Sequence, residues 1–151
     1  MRPEDAAAVA VVDAACIGSA HWPATAYTIE GASLLRGWVA QSAGRARQHD
    51  AIAGFIAVRC VADEMEILNL AVAPESRRQG IAAQLFEQAM QYARAHGVRR
   101  IYLEARETNA SALAFYAAKG LELTGRRTRY YTHPVEDALL LSRAVACPAP
   151  G

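Results

Sequence analysis

The spacing of apolar residues changes along the chain, and each change predicts a different kind of element. Apolar residues recur at helical spacing over residues 4–17 and again over 28–40, which predicts two helices. The runs that follow are rich in Ile, Val and Phe and are separated by the acidic turn Asp63-Glu64, which predicts antiparallel strands. The expected strands in this part of the chain are 45–48, 51–61 and 66–72.

Helices and strands alternate in the second half of the chain. After Pro74, apolar residues recur every four positions over 81–93, which predicts an amphipathic helix that ends at Gly97. The elements expected after it are a strand over 98–105, a short helix over 109–119, and two closing strands over 121–131 and 138–145. Because no repeat or linker interrupts this order, we predict one α/β domain over 1–146 and a short tail over 147–151.

The composition is that of a soluble globular domain. The 151 residues are 53% apolar and 21% charged, and no apolar run is long enough to span a bilayer. Sixteen Lys and Arg against fifteen Asp and Glu leave a net charge of +1. This balance gives no general attraction to nucleic acid or to a membrane, so neither is expected as a direct partner.

The cysteines and histidines form no recognisable disulfide or metal pattern. The cysteines are odd in number and include no C-x-x-C pair, and the histidines lack the spacing of zinc ligands. The start of the chain does not resemble a secretory signal. We therefore expect a cytoplasmic protein without a metal ion; the residues concerned are Cys16, Cys60, Cys147, His21, His49, His96 and His133.

The turn over 75–80 is a candidate anion site. It precedes a helix whose first amides lack internal partners, and Gly80 and Ala82 leave the backbone accessible to phosphate oxygens. A helix-starting glycine and the adjacent arginines Arg77 and Arg78 also occur in turns that only face solvent, so both interpretations stand on these residues alone. The P-loop and dinucleotide fingerprints are absent from the sequence, which excludes those two kinds of phosphate site.

Residues 68–82 resemble the acetyl-CoA motif of the GNAT superfamily of N-acetyltransferases, Q/R-x-x-G-x-G/A, with Arg77, Gly80 and Ala82 at its defined positions. Further segments follow at the family's spacing, and together the resemblance covers residues 51–143. It implies a GNAT fold, a single domain with a mixed, centrally splayed sheet flanked by helices, and acetyl-CoA as cosubstrate. The segments are Leu103-Glu104-Ala105-Arg106, Asn109-Ala110-Ser111-Ala112, Phe115-Tyr116 and Lys119-Gly120-Leu121.

The end of the chain is similar to one GNAT subgroup, the RimI-type ribosomal-protein alanine N-acetyltransferases. The similarity rests on residues 129–132 and 136–141 and on the Trp22-Pro23 loop. It implies acetylation of a protein N-terminus, the alanine of a small-subunit ribosomal protein. Two features depart from the family: Ala82 stands where many members have glycine, and little chain precedes the first expected helix to form the usual first strand.

The resemblance implies a catalytic role for two side chains that have simpler explanations. Glu104 lies at the end of a predicted strand and is implied as general base, although it could instead be a surface carboxylate paired with Arg100 or Arg106. Tyr116 is implied as the acid that protonates the leaving thiolate, and its phenol has a suitable reference pKa of about 10. A lone tyrosine on a helix is otherwise most often a packed aromatic.

The expected binding residues fall into two groups. Those for the cofactor are Leu70, Ala71, Val72, Arg77, Arg78, Gln79, Gly80, Ile81, Ala82 and Asn109, of which Asn109 could instead cap the short helix. Those for the acceptor are Trp22, Tyr130, Tyr131 and Glu136. A cluster of surface charges, which could also help to hold the acceptor, comprises Arg126, Arg127 and Arg129.

Three other functions are compatible with parts of this pattern. A GNAT enzyme could acetylate a small-molecule amine, and a non-catalytic domain could use the same turn to sense acyl-CoA. A structural phosphate-binding domain would need neither Glu104 nor Tyr116. The expected acceptor of the leading hypothesis remains a protein N-terminal α-amine.

Overall fold

The computed structural model describes residues 35–41, 52–132 and 135–146. The predicted helix over 4–17, the Trp22-Pro23 loop and the predicted strand over 45–48 lie outside these residues. Within the described residues, no helix is long and apolar enough to cross a membrane.

Most of the elements predicted for the described residues are confirmed, with small shifts at their ends. The turn that follows residue 72 contains one turn of 3-10 helix, Pro74–Ser76. The elements are, in chain order, β1 (Leu35–Gln41), β2 (Ile52–Val61), β3 (Glu64–Val72), α1 (Ile81–Ala95), β4 (Arg100–Arg106), α2 (Ala110–Ala118), β5 (Glu122–Thr132) and β6 (Val135–Ala144).

The prediction of a helix over 28–40 is wrong from Leu35 onwards, because this segment is strand β1. β1 pairs with β2 in antiparallel register from Leu35↔Arg59 to Ala40↔Gly54, and Trp38 and Ala40 pack against the core. Gly37 lowers helix propensity by about 1 kcal/mol relative to alanine. Pairing with a buried strand therefore outweighs the helical spacing of the apolar residues. β6 also begins earlier than predicted, at Val135 rather than at 138.

The described sheet has six strands in the order β1-β2-β3-β4-β6-β5. Neighbouring strands are antiparallel except β3 and β4, which run parallel and pair only from Glu64↔Arg100 to Glu66↔Tyr102. Beyond these pairs the two strands separate, so the sheet is mixed and splayed at its centre, as the fold prediction stated. This arrangement agrees with the fold that the resemblance implied.

A bulge in β3 lies where the two strands separate. Ala57 of β2 pairs with Asn69, whereas the next residue, Val58, pairs with Ile67, so Leu68 is an extra residue on the β3 side. An extra residue bends its strand and increases the local twist. Because the bulge follows the last β3–β4 pair by two residues, it explains why β3 turns away from β4 at this point.

Helix α1 packs on one face of the sheet through an apolar stripe at four-residue spacing. The stripe includes Leu85, Phe86, Ala89, Met90 and Ala93, all buried. The core that these residues enter also contains the fully buried Ile56, Val58, Met65 and Ile101 from β2, β3 and β4. The helix ends at Ala95, two residues before Gly97, whose φ of 72° is the left-handed conformation typical of a glycine after a helix. This packing fixes the start of α1 beside the end of β3.

Candidate active site

The gap between β3 and β4 provides a place for an extended ligand. Pairing with β4 ends at Glu66, so the edge of β3 that carries Leu70 and Ala71 diverges from its parallel neighbour. Backbone at such an edge can pair with a ligand as it would with another strand. β3 runs directly into the turn that was predicted to bind phosphates, so the two candidate cofactor segments form one continuous surface.

The turn at the start of α1 has the geometry of an anion site. Gly80 is the N-terminal cap of α1 in the left-handed conformation, with φ 74°, and no side chain caps the helix. The first intrahelical bond recorded at this end runs from the Gln84 amide to the Gly80 carbonyl at 3.1 Å. A Cβ added at Gly80 would meet nothing within 4 Å, so space remains above the first helical amides. These amides and the helix dipole favour a negatively charged ligand.

Arginine side chains surround this turn without blocking it. The Nε atom of Arg77 donates to the carbonyl of Val72 at 3.3 Å, which ties the turn back to the end of β3. Arg78 has a φ of 64°, a left-handed conformation that reverses the chain direction just before Gly80. Arg77, Arg78 and Gln79 are all exposed. The turn is therefore held in shape by its own contacts, and its charged side chains stay accessible to a phosphate.

Glu104 lies on β4 with its side chain only 16% exposed, and it is paired with Arg127 of β5. The Nε atom of Arg127 lies 3.1 Å from Oε1 of Glu104. The alternative that Glu104 is a carboxylate paired with an arginine is confirmed, but the partner is Arg127 and not Arg100 or Arg106, whose guanidinium groups contact other residues. Arg100 donates to Ser142 at 2.8 Å, and Arg106 meets Glu136 at 3.4 Å.

Tyr130 lies against the Glu104–Arg127 pair. The negative charge of Glu104, a hydrogen bond to the same carboxylate, and partial burial raise the pKa of the Tyr130 phenol. The guanidinium carbon of Arg127 is 5.6 Å from the centre of the Tyr130 ring, and the ring of Tyr131 is 5.1 Å away, edge to face. Tyr130 remains 49% exposed, so this aromatic pair forms a surface next to Glu104 that an acceptor can reach.

Glu136 is held by the connection between β4 and α2. Its Oε1 atom accepts hydrogen bonds from the amide and the hydroxyl of Thr108, both at 2.6 Å, and its Oε2 atom meets Arg106. The bonds from Thr108, together with Arg106, lower the pKa of Glu136. Arg106 in turn lies over the ring of Tyr131 at 4.0 Å. Glu136 therefore contacts the tyrosine pair indirectly, by fixing Arg106.

Tyr116 is a packed residue of the core. It is 7% exposed and lies between Phe86, at 6.5 Å between ring centres, and Phe115, at 5.2 Å. Burial raises the pKa of its phenol above the ordinary value, so the hydroxyl keeps its proton at any physiological pH. The packing interpretation is confirmed, and it is compatible with a hydroxyl that donates a proton or a hydrogen bond.

Asn109 is the N-terminal cap of α2. Its Oδ1 atom accepts from the Ala112 amide at 3.3 Å and from the Ser111 hydroxyl at 3.4 Å. The capping interpretation is therefore confirmed. Among the residues that the structure describes, no group of three or more His, Cys, Asp or Glu side chains could hold a metal ion.

Residues 14–121 match the Acetyltransferase (GNAT) family. The chain belongs to this family. It is 33% identical over 101 residues to the [ribosomal protein bS18]-alanine N-acetyltransferase of Escherichia coli K12, covering 66% of this chain and 68% of that protein. It is 31% identical over 131 residues to the N-alpha-acetyltransferase RimI of Mycobacterium tuberculosis, covering 84% and 78%. A putative [ribosomal protein bS18]-alanine N-acetyltransferase of Bacillus subtilis is 36% identical over 90 residues, a match spanning 60% of each chain.

Solved GNAT structures share the fold over nearly the whole chain. The crystal structure of the E. coli ribosomal-protein-S18-alanine N-acetyltransferase superposes with a TM-score of 0.83 at 23% identity, covering 100% of this chain and 94% of that one. Arabidopsis thaliana NAA60 in complex with acetyl-CoA superposes with a TM-score of 0.82 at 18% identity, covering 96% of each. At these identities the likeness shows the fold alone.

Two arginines of this GNAT site were not assigned to it from the sequence. From the sequence, Arg127 is one of three surface arginines that could help to hold the acceptor, and Arg106 is a possible partner of Glu104. The structure aligns them on one face, because β6 lies between β4 and β5 and the buried Ala138 pairs with Arg106 on one side and with Arg127 on the other. The only feature of the sequence that indicates this arrangement is the small residue Ala138. It can be interpreted only once the strand order is known.

Proposed function

We propose that this protein is an acetyl-CoA-dependent N-acetyltransferase that modifies the α-amine of a protein N-terminus, the alanine of a small-subunit ribosomal protein, in the cytoplasm. One observation carries the proposal. The gap between β3 and β4 leads to the start of α1, which has no side-chain cap, and the half-buried Glu104 lies on β4, the other side of the gap. The names of relatives from three bacteria support the choice of acceptor.

In this proposal acetyl-CoA lies along β3 and ends at the start of α1. The pyrophosphate accepts hydrogen bonds from the amides of Gly80, Ile81 and Ala82, beside Arg77, Arg78 and Gln79. The pantetheine arm pairs with the backbone of Leu70, Ala71 and Val72, next to the bulge that turns β3 away from β4. Asn109 caps α2 and thereby holds that helix beside the thioester end of the cofactor.

The reaction is direct transfer from the thioester to the amine. An N-terminal α-amine has a reference pKa of about 7.7–8.0, so Glu104, directly or through water, has a modest task in removing its proton near neutral pH. The neutral amine forms the new carbon–nitrogen bond, and the carbon–sulfur bond breaks as CoA leaves as a thiolate. Tyr116 protonates that thiolate. Because burial raises the pKa of the phenol, Tyr116 holds its proton until the thiolate forms beside it.

The acceptor end of the proposed site is formed by Tyr130 and Tyr131. Trp22, expected at this end from the sequence, lies outside the described residues. The two rings meet edge to face, and each lies under a guanidinium group, that of Arg127 or that of Arg106. Glu136 contributes by fixing Arg106, so we assign it to this end as a supporting residue. Rigid aromatic faces next to Glu104 suit an extended peptide whose first residue must reach the carboxylate.

The test combines the purified protein with acetyl-CoA and three kinds of acceptor: an Ala-initiated peptide with the N-terminal sequence of the same organism's bS18, the same peptide with a blocked α-amine, and a panel of small amines. Mass spectrometry that locates the acetyl group on the α-amine of the free peptide supports the proposal. Turnover of small amines alone favours a metabolite acetyltransferase. CoA binding without turnover of any acceptor favours an acyl-CoA sensor, and either result overturns the proposed function.

A further inference from the structure

Strand β5 contains a bulge that includes Tyr130, the first residue of the tyrosine pair. Arg127 pairs with Ala138 of β6, whereas Tyr131 pairs with Glu136. Between these two pairs, β5 has the three residues Thr128, Arg129 and Tyr130 where β6 has only Asp137. Extra residues on one strand change the direction in which the side chains in and after the bulge point. The bulge therefore decides where the ring of Tyr130 points.

The bulge depends on an unfavourable backbone conformation at its centre. Arg129 has a φ of 53°, in the left-handed region that a residue with a Cβ rarely adopts. Its amide donates to Oδ1 of Asp137 at 2.9 Å, so the conformation is stabilised by a hydrogen bond to a charged acceptor. Asp137 is the residue opposite the bulge, and it therefore holds the three extra residues from the facing strand.

A second set of contacts fixes Asp137 itself. Its Oδ2 atom accepts from Arg126 at 2.7 Å, and the same nitrogen of Arg126 donates to Glu107 at 2.9 Å. The carbonyl of Asp137 accepts from the Glu107 amide at 3.2 Å. The Arg129 amide and Arg126 lower the pKa of Asp137, which stays ionised at neutral pH. The turn after β4, the bulge of β5 and the start of β6 thus meet at one carboxylate.

We propose that Asp137 is a positioning residue: it holds the Thr128–Tyr130 bulge in the conformation that places the Tyr130 phenol against Glu104. The structural part of this inference stands on the contacts alone, and its catalytic consequence rests on the proposed function, in which Glu104 is the base. Among the described residues, the hydrogen bonds and ion pairs of Asp137 go to Arg126, Arg129 and Glu107 and not to Glu104 or the tyrosines. Its effect on the reaction is transmitted through the backbone of β5.

The experiment compares two substitutions at Arg129 with one at Asp137 and one at Glu107. Arg129→Val places a β-branched side chain at a positive φ, whereas Arg129→Gly removes the Cβ that makes this φ unfavourable. Asp137→Ala removes the acceptor of the Arg129 amide. Glu107→Ala removes only the other partner of Arg126 and is the control. Circular dichroism checks that each variant folds, and the exposed Arg129 variants keep the test usable if Asp137→Ala does not fold.

One measurement reports on the position of Tyr130 without turnover. In protein with ¹³C-labelled tyrosine, NMR follows the titration of the Tyr130 phenol, assigned with Tyr130→Phe. The groups that act on this phenol are Glu104, Arg127 and Glu66. Asp137→Ala and Arg129→Val are expected to bring the pKa of Tyr130 down toward its ordinary value of about 10. Glu107→Ala and Arg129→Gly are expected to leave the pKa of Tyr130 at its wild-type value.

A second measurement reports on catalysis. We expect Asp137→Ala and Arg129→Val to lower kcat/KM for the Ala-initiated peptide by about 10- to 100-fold, the range for a displaced site group, while the Kd for acetyl-CoA stays constant. Adding Arg129→Gly to Asp137→Ala should restore part of the loss. An unchanged Tyr130 titration together with unchanged kcat/KM in Asp137→Ala, or in Arg129→Val where only that variant folds, overturns the inference. An inactive wild type whose Tyr130 titration still responds to Asp137→Ala refutes the proposed function but leaves the positioning role intact.

Discussion

Glu104 of β4 and Arg127 of β5 are joined at 3.1 Å although strand β6 lies between them. The long guanidinium side chain crosses over β6 where the intervening residue is Ala138. The side chain of Arg127 is 57% exposed and that of Glu104 is 16% exposed, so the arginine is the partner that lies in contact with solvent. An acceptor ammonium group that reaches Glu104 therefore has to compete with Arg127 for a carboxylate that is largely removed from water.

The first prediction concerns Glu104 as the base. Glu104→Gln keeps the shape of the side chain and removes its ability to accept a proton, so kcat should fall by about 10²- to 10⁴-fold, the usual contribution of a general base. Steady-state kinetics at several pH values check this. Raising the pH should partly restore the activity of the variant, because more of the acceptor amine is then neutral. Wild-type turnover in Glu104→Gln would remove Glu104 from the mechanism.

The second prediction separates the hydroxyl of Tyr116 from its ring. Tyr116→Phe keeps the contacts with Phe86 and Phe115, so the melting temperature should change little. The kcat should fall by about 10²-fold or more because the thiolate loses its proton donor, while the Kd for acetyl-CoA is unchanged. Calorimetry and single-turnover kinetics measure the two effects. Tyr92→Phe is the matched control and should leave kcat unchanged. Tyr92 lies near the C-terminal end of α1, where its hydroxyl accepts a hydrogen bond from Arg36 of β1.

The third prediction uses two glycines with nearly the same backbone conformation. Gly80 and Gly97 have φ angles of 74° and 72°, and a Cβ at either would meet nothing within 4 Å. Valine at either position should destabilise the fold by about 1–2 kcal/mol through the left-handed backbone. Only Gly80→Val should also weaken the binding of acetyl-CoA, which isothermal titration measures. Equal affinities in the two variants would contradict the assignment of the turn as the phosphate site.

The fourth prediction concerns the pH dependence of stability. The pKa of Glu136 is lowered in the folded protein, chiefly by the hydrogen bonds from Thr108. Its stabilising effect is therefore complete above the unfolded value of about 4.3 and is lost as the pH falls through the folded pKa. Glu136→Gln should be less stable than the wild type at pH 7, and the difference should shrink below about pH 4. Urea unfolding at pH 7, 5 and 3 measures it, and a difference independent of pH would contradict the assignment.

Local patterns predicted the elements near the cofactor but not the contacts near the acceptor. Helix α1 and its flanking glycines could be predicted because four-residue spacing and glycine conformations are properties of a short stretch of chain. The β1 strand could not, because its apolar spacing also fits a helix and only pairing with β2 decides between them. The tertiary context therefore overrode the local preference.

The surroundings of Glu104 depend on relationships that no local pattern records. Arg127 reaches Glu104 because β6 is inserted between β4 and β5, which is a property of the topology. The bulge at Thr128–Tyr130 depends on a left-handed Arg129, a conformation that an arginine in the sequence does not indicate. Asp137 is therefore not a candidate from the sequence, whereas Glu104 and Tyr116 are candidates through their resemblance to family motifs.

The narrow contact between β3 and β4 also affects the mechanical behaviour of the domain. Among the described strands, only three residue pairs join β3 to β4, and the buried Met65 and Ile101 form the middle pair. Acetyl-CoA bound in the gap would contact both β3 and β4 and so link the two parts of the sheet beyond their short paired segment. Loading the enzyme with acetyl-CoA should consequently slow amide exchange in β3 and β4 together, so that catalytic readiness and rigidity of the fold rise at the same step.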